Sequence, residues 1–216
     1  MATAESPVRA ARSRRIDGRL RAARLLLWVV CLIPATRLLA GWLGDGLGAN
    51  PIEKLTHETG RTALLILIAT LAVTPVRRLT GWNWLVQLRR PLGLFAFFYA
   101  LSHFTIYIVL DQFFAWEYIL EDIVERPYIT VGFTALVLLV PLAITSTRGW
   151  IRRLGRNWQR LHMLVYPAAA LGILHFYWKL SSKSDVSDAL AYGAALALVL
   201  VVRAAVAIER RRRRAA

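Results

Sequence analysis

The sequence predicts an all-α fold: a polytopic membrane protein built as a six-transmembrane-helix bundle. Three observations lead there. Of the 216 residues 57% are hydrophobic, and the mean hydropathy is +0.47. Predominantly apolar runs recur at 25–43, 61–76, 91–110, 128–146, 161–178 and 189–208, each near the ~20 residues that a helix needs to cross the hydrocarbon core. Most of the 28 Lys and Arg stand in four segments, 9–24, 77–90, 147–160 and 203–214, whereas the intervening loops hold most of the 13 Asp and Glu. Because basic loops stay inside, both termini are expected in the cytoplasm.

The chain therefore divides into a cytoplasmic basic arm (1–24), a six-helix transmembrane domain (25–208) and a cytoplasmic basic tail (209–216). The net charge of +15 does not indicate nucleic acid, because the basic clusters flank apolar runs and so suit topology and contact with anionic membrane lipid. The single Cys31 lies in the first run, which leaves neither a disulfide framework nor a thiolate cluster. Trp42, Trp82, Trp84, Trp116, Tyr128, Trp150, Trp158 and Trp178 fall near segment ends, as an interfacial aromatic belt requires.

In chain order, the first run, LLLWVVCLIPATRLLAGWLG, is too long for a signal peptide and reads as a retained helix. Pro34 is placed to kink it, and Arg37 to snorkel outward. The Gly-rich segment 44–50 makes an outer loop, after which His57, Glu58, Gly60 and Arg61 precede the second helix, His57 at the interface. Beyond Pro75 the chain re-emerges inside at Arg77 and Arg78 and returns through Arg89, Arg90 and Pro91. Arg89 and Arg90 suit a phosphate or propionate through charge-assisted hydrogen bonds, alongside a plain anchoring role. The acidic, aromatic segment 111–126 reads as a solvated outer loop or a docking surface for a periplasmic partner. The fourth helix ends at ITSTRGW, and the sixth, with Arg203 near its inner end, reads as scaffold.

Histidine in a membrane helix normally has a partner or a ligand. His103 lies twelve residues after Pro91 on the third helix, ~18 Å from the cytoplasmic end, and His175 fourteen after Leu161 on the fifth, ~21 Å in. Both helices run in the same direction, so the two imidazoles are expected at one depth. Ala96 and Ala100 precede His103 by seven and three positions, as Ala168 and Gly172 precede His175. Each histidine thus overlooks a strip of small side chains, where a flat macrocycle fits between helices 3 and 5. Ligation of haem iron by His103 and His175 is the expected chemistry, with a metal-free hydrogen-bonded pair as its competitor. His162 lies ~20 Å from His175 along the axis. A second, inner haem there would need another ligand at that depth, which no other histidine supplies, so His162 suits instead a propionate, a flavin or a quinone, or an interfacial position.

A proton-coupled transporter would use the histidines as a relay and show repeat symmetry or broken helices at midplane. A plain membrane anchor would need no histidines there. The chain has no Gly-rich dinucleotide fingerprint and no molybdenum ligand set. As an electron carrier it must take electrons from one partner and pass them to another.

GRTALL at 60–65, LSHFTIY at 101–107, RPYITVGF at 126–133, ITSTRGW at 144–150, LGRNWQRLHMLVY at 154–166 and HFYW at 175–178 together resemble the MsrQ (YedZ) family. These are haem-binding membrane subunits of the bacterial protein-methionine-sulfoxide reductase system, within the ferric reductase-like transmembrane superfamily. The resemblance implies a b-type cytochrome of the inner membrane, with one haem b or two, that also uses FMN. It implies electron transfer to a periplasmic molybdopterin subunit, MsrP, where methionine sulfoxide is reduced and oxidised envelope proteins are repaired. Quinone or a cytosolic flavin reductase is the implied donor. His103, His162 and His175 match the family's haem-associated histidines, and Arg89 stands where the two-haem oxidases would place an inner histidine.

Overall fold

The computed structural model describes residues 7–44, 46–181 and 185–215. It is a bundle of six helices long and apolar enough to cross a membrane, with no strand among the described residues. The spans are carried by α1 (Pro7–Leu43), α2 (Pro51–Thr80), α3 (Arg89–Ile106), α5 (Pro127–Ile144), α8 (Val165–Ser181) and α9 (Ser187–Ala215). Between them lie α4 (Trp116–Glu125), α6 (Arg148–Leu154) and α7 (Arg156–Leu161). Alternation of direction puts the loops after α1, α3 and α8 at one end, and the arginine-rich loops at the other.

Several boundaries differ from the sequence reading. Residues 7–24 of the basic arm continue α1 as helix, and residues 1–6 lie outside the described residues. The second helix starts at Pro51 and not after Arg61, because Asn50 accepts a hydrogen bond from the Glu53 amide (3.2 Å) and Pro51 occupies the first turn, where its missing N–H costs nothing. His57, Glu58, Gly60 and Arg61 are therefore helical. The acidic segment is not simply a loop: α3 widens into a π-helical turn over Tyr107–Asp111, and α4 follows.

Helix α2 is the central element, packed on α3 and in contact with α1, α8 and α9. Leu64, Leu67 and Leu71 project from it into the main core. Its threonines do not leave hydroxyls bare in the apolar interior: Thr59 and Thr70 each donate to the carbonyl four residues earlier. Pro75 removes the amide that would bond to the Leu71 carbonyl, and the Arg203 guanidinium of α9 donates to that carbonyl instead (2.9 Å). Arg203 is thus more than a terminal charge on a scaffold helix. Pro167 likewise leaves the Met163 carbonyl without its helical donor, and the fifth span tightens to a 3-10 turn at His162–Leu164.

Tyr99, 1% exposed, joins α3 to α1. Its hydroxyl donates to the Cys31 carbonyl (2.6 Å) and accepts from the Ala35 amide (3.1 Å). An uninterrupted helix would join those two groups directly. The phenol is inserted at the turn containing Pro34, which is where α1 can open. Removing the hydroxyl strands two polar groups in an apolar setting, so Tyr99→Phe is expected to lower stability by about 1–3 kcal/mol. Thermal unfolding of the detergent-purified variant would show this as a lower midpoint than that of the parent.

Candidate functional site

The third and fifth spans bring the rings of His103 and His175 together. Their ring centroids are 6.0 Å apart with the planes 79° from parallel. Each ring is held from behind. His103 Nδ1 lies 2.8 Å from the Thr56 carbonyl of α2, and His175 Nδ1 lies 2.7 Å from the Tyr128 carbonyl of α5. A carbonyl oxygen only accepts, so each Nδ1 carries the proton and donates, and each Nε2 presents a lone pair. Neither Nε2 has a protein hydrogen-bond partner among the described residues.

A glycine makes each of these contacts feasible. A Cβ on Gly60 would stand 3.0 Å from His103 Nδ1, and one on Gly132 would stand 2.6 Å from His175 Nδ1. Both glycines follow the accepting residue by four positions, one helical turn, so the ring lies against the bare turn that carries its acceptor. In both halves the histidine follows its acceptor by 47 residues. Gly60, Ala96, Ala100 and His103 on α2 and α3 therefore correspond at one constant offset to Gly132, Ala168, Gly172 and His175 on α5 and α8. The site is thus built from two like hairpins.

A cavity of about 400 Å³ lies between these hairpins. It is lined by both histidines and by Ala96, Ala100, Ala168 and Gly172, all expected from sequence. Ala96 and Ala168 are each 1% exposed, so the strips form its packed walls. Leu64, Leu67, Leu136 and Leu139 make the deep part apolar, whereas the mouth carries Arg61, Arg126 and Lys179 together with Asp111, Asp122 and Asp188. Arg61 pairs with Asp188 across α2 and α9. Arg126 Nε lies 2.8 Å from Asp122 Oδ1, and the Tyr107 hydroxyl donates to Asp122 Oδ2 (2.8 Å). Lys179 stands over the Tyr128 ring, 5.4 Å from its centroid. A hydrogen bond with Tyr128 and the nearby Asp122 carboxylate raise the Arg126 pKa further, so it stays a cation.

Among the described residues no group of three or more His, Cys, Asp or Glu could hold a metal ion. Two opposed imidazoles do suit a metal whose other ligands come from a macrocycle. With metal–nitrogen bonds of about 2 Å on each side, a linear pair of imidazoles needs ring centres roughly 6 Å apart. The observed spacing, the accessible Nε2 lone pairs and the small-residue walls fit a porphyrin, with Arg61, Arg126 and Lys179 among the charges at the mouth.

His162, Arg89 and Arg90 are not brought to this cavity. They lie at the arginine-rich end. The His162 ring stacks on Trp158, with centroids 3.9 Å apart, and its Nδ1 is 3.1 Å from the Trp158 carbonyl. Arg89 is half-buried and lies within electrostatic reach of His162, Arg203, Tyr166 and Arg77; Arg90 is exposed. Gly60, Gly132, Thr56, Tyr128 and the cations of the mouth were missed by sequence reasoning. The signal was present, because GRTALL and RPYITVGF each contain the glycine or its acceptor, but only the 47-residue spacing repeated in both halves reveals their purpose.

Residues 59–173 match the family described as the ferric reductase like transmembrane component. The chain is 54% identical over 179 residues to the protein-methionine-sulfoxide reductase heme-binding subunit MsrQ of Herminiimonas arsenicoxydans, covering 82% of each chain. It is 52% identical over 198 residues to the Rhodospirillum rubrum protein of the same name, covering 91% of this chain and 94% of that one. Against the Ralstonia nicotianae protein the identity is 48% over 185 residues, 85% of each. No solved structure matches the chain.

Substituting alanine at Gly132 should drive the His175 ring off its acceptor and remove most of the visible absorption of the purified protein. Gly93→Ala, whose Cβ would meet only a Thr70 methyl at 3.8 Å, should keep the full spectrum.

Proposed function

The chain belongs to the ferric reductase-like transmembrane family and, within it, to the MsrQ haem-binding subunits of protein-methionine-sulfoxide reductase, and from that premise we propose that it carries electrons across the bacterial inner membrane. Its partner is a periplasmic MsrP-type molybdopterin subunit, where methionine sulfoxide in oxidised envelope proteins is reduced. Quinol or a cytosolic flavin reductase supplies the electrons, and both termini lie in the cytoplasm. The observation that carries this reading is the opposed imidazole pair with both Nδ1 atoms committed to helix carbonyls.

Bound haem b would supply one-electron chemistry, its iron alternating between the ferric and ferrous states. The residues provide the rest. Through Nε2, His103 and His175 would hold the iron, and their Nδ1–H···O=C bonds fix ring direction and make each nitrogen a better donor. Ala96, Ala100, Ala168 and Gly172 admit the flat ring system. The leucines of α2 and α5 exclude water, and Arg61, Arg126 and Lys179 sit where its carboxylates would emerge. FMN, also implied by the resemblance, would need a cation for its phosphate, a role that Arg89 or Arg90 at the opposite end could fill. A proton relay is a poorer reading, since it would have to break both carbonyl bonds at each transfer.

Spectra of the dithionite-reduced, detergent-purified protein test the assignment. His103→Ala and His175→Ala should each abolish the low-spin bis-imidazole spectrum, whereas His162→Ala should keep it; a normal spectrum in both of the first two would refute the pair. The mouth should tune the potential. Arg61→Gln removes a cation and should lower the midpoint potential by tens of millivolts, because reduction adds negative charge. Asp188→Asn removes an anion and should raise it, as potentiometric titration would record.

A further inference from the structure

A second cavity, of about 330 Å³, opens at the arginine-rich end between α2 and α9 and is separate from the histidine site. Arg78 and Arg203 line it together with Thr74, Tyr166 and the apolar Leu200 and Ala204. Arg203 donates to the Leu71 carbonyl and, at 2.6 Å, to the Tyr166 hydroxyl, while among the described residues Arg78 makes only a long contact of 3.4 Å to the Val206 carbonyl. A guanidinium has five N–H donors, so both retain unused ones. Arg89 and Arg77 add charge behind them, since Arg89 interacts electrostatically with Arg203 and with Arg77.

None of these four arginines has a carboxylate partner among the described residues; the described ion pairs of the chain are all made elsewhere. Gathering half-buried cations without a counter-charge is costly, so the cluster needs an anion from outside the chain. Planar guanidiniums prefer a carboxylate or phosphate that can accept two parallel hydrogen bonds. The cavity lies near the ends of two membrane-crossing helices and combines a cationic rim with an apolar floor. That is the arrangement by which basic pockets between transmembrane helices bind lipid headgroups.

We propose that this cavity is a subsite for a phosphate ester, gripped by Arg78 and Arg203 and supplied by the headgroup of an anionic phospholipid. The assignment is independent of whether the histidine cavity takes a porphyrin. A soluble phosphate monoester shares the recognition chemistry, and the test separates the two sources.

Protein purified in detergent is exchanged into defined phosphatidylglycerol or phosphatidylcholine, and retained lipid is measured by native mass spectrometry. The parent should hold phosphatidylglycerol in preference to phosphatidylcholine. Arg78→Gln, which gives up only one long contact, should weaken retention roughly tenfold with an unchanged melting temperature. Arg152→Gln, at the same end but outside the cavity, should bind as the parent does. In a second arm inorganic phosphate and riboflavin 5′-phosphate are titrated against lipid-stripped protein. Arg78-dependent binding of these without phosphatidylglycerol retention would keep the phosphate subsite and overturn the lipid source. Equal retention by the parent and Arg78→Gln, or equal retention of the two lipids with no phosphate binding, would overturn the subsite.

Discussion

The site depends on one repeated contact: an imidazole N–H hydrogen-bonded to the carbonyl of a helix turn that a glycine leaves bare. In hydrocarbon an unmade hydrogen bond is expensive, and an imidazole exposes two polar atoms. The helix carbonyl already accepts its own amide but has a second lone pair to offer. Spending that lone pair on Nδ1–H settles the tautomer, fixes the ring plane and leaves the Nε2 of each ring without a protein partner among the described residues. Without a glycine at 60 or 132 a Cβ would crowd the imidazole, and helix and histidine would have to separate. The distance between α2 and α3, and between α5 and α8, is thus tied to the same atoms that face the cavity.

Around this pair the two ends of the bundle differ in kind. At the histidine end charges are largely matched, Arg61 with Asp188 and Arg126 with Asp122. At the other end the guanidiniums outnumber any acid, and two of them donate to backbone carbonyls. The electron-carrier role proposed above would benefit from both. An apolar midsection makes the potential sensitive to nearby charge, and matched charges at the mouth hold that field steady. Uncompensated cations at the opposite end hold the helix ends at the headgroup layer and favour anionic ligands there.

Much of this was legible from spacing. Run length alone located the six spans, because a helix rises by a fixed amount per residue and the hydrocarbon core has a fixed thickness. The same rise put His103 and His175 at one depth, and their small-residue strips line the cavity as expected. Less legible were features that depend on where polar groups find partners. The start of α2 at Pro51 rests on an Asn cap that precedes any apolar run, and α4 lies in a segment that composition alone describes as acidic. Arg203 read as a terminal charge because nothing local links it to Pro75, more than a hundred residues earlier, whose missing amide it replaces.

The sequence by itself determined that the chain crosses the membrane six times, which residues lie deep, and that two histidines share a level, since all of these follow from periodicity and length along a single helix. Only the tertiary structure decided which atoms of those histidines are available. Ring direction and tautomer depend on a carbonyl and a bare turn contributed by another helix 47 residues away, and no pattern within one segment encodes which neighbour it will meet. Likewise, His162, Arg89 and Arg90 could be ranked beside the other site residues until packing placed them at the far end, because depth constrains position along the membrane normal but not the partner across it.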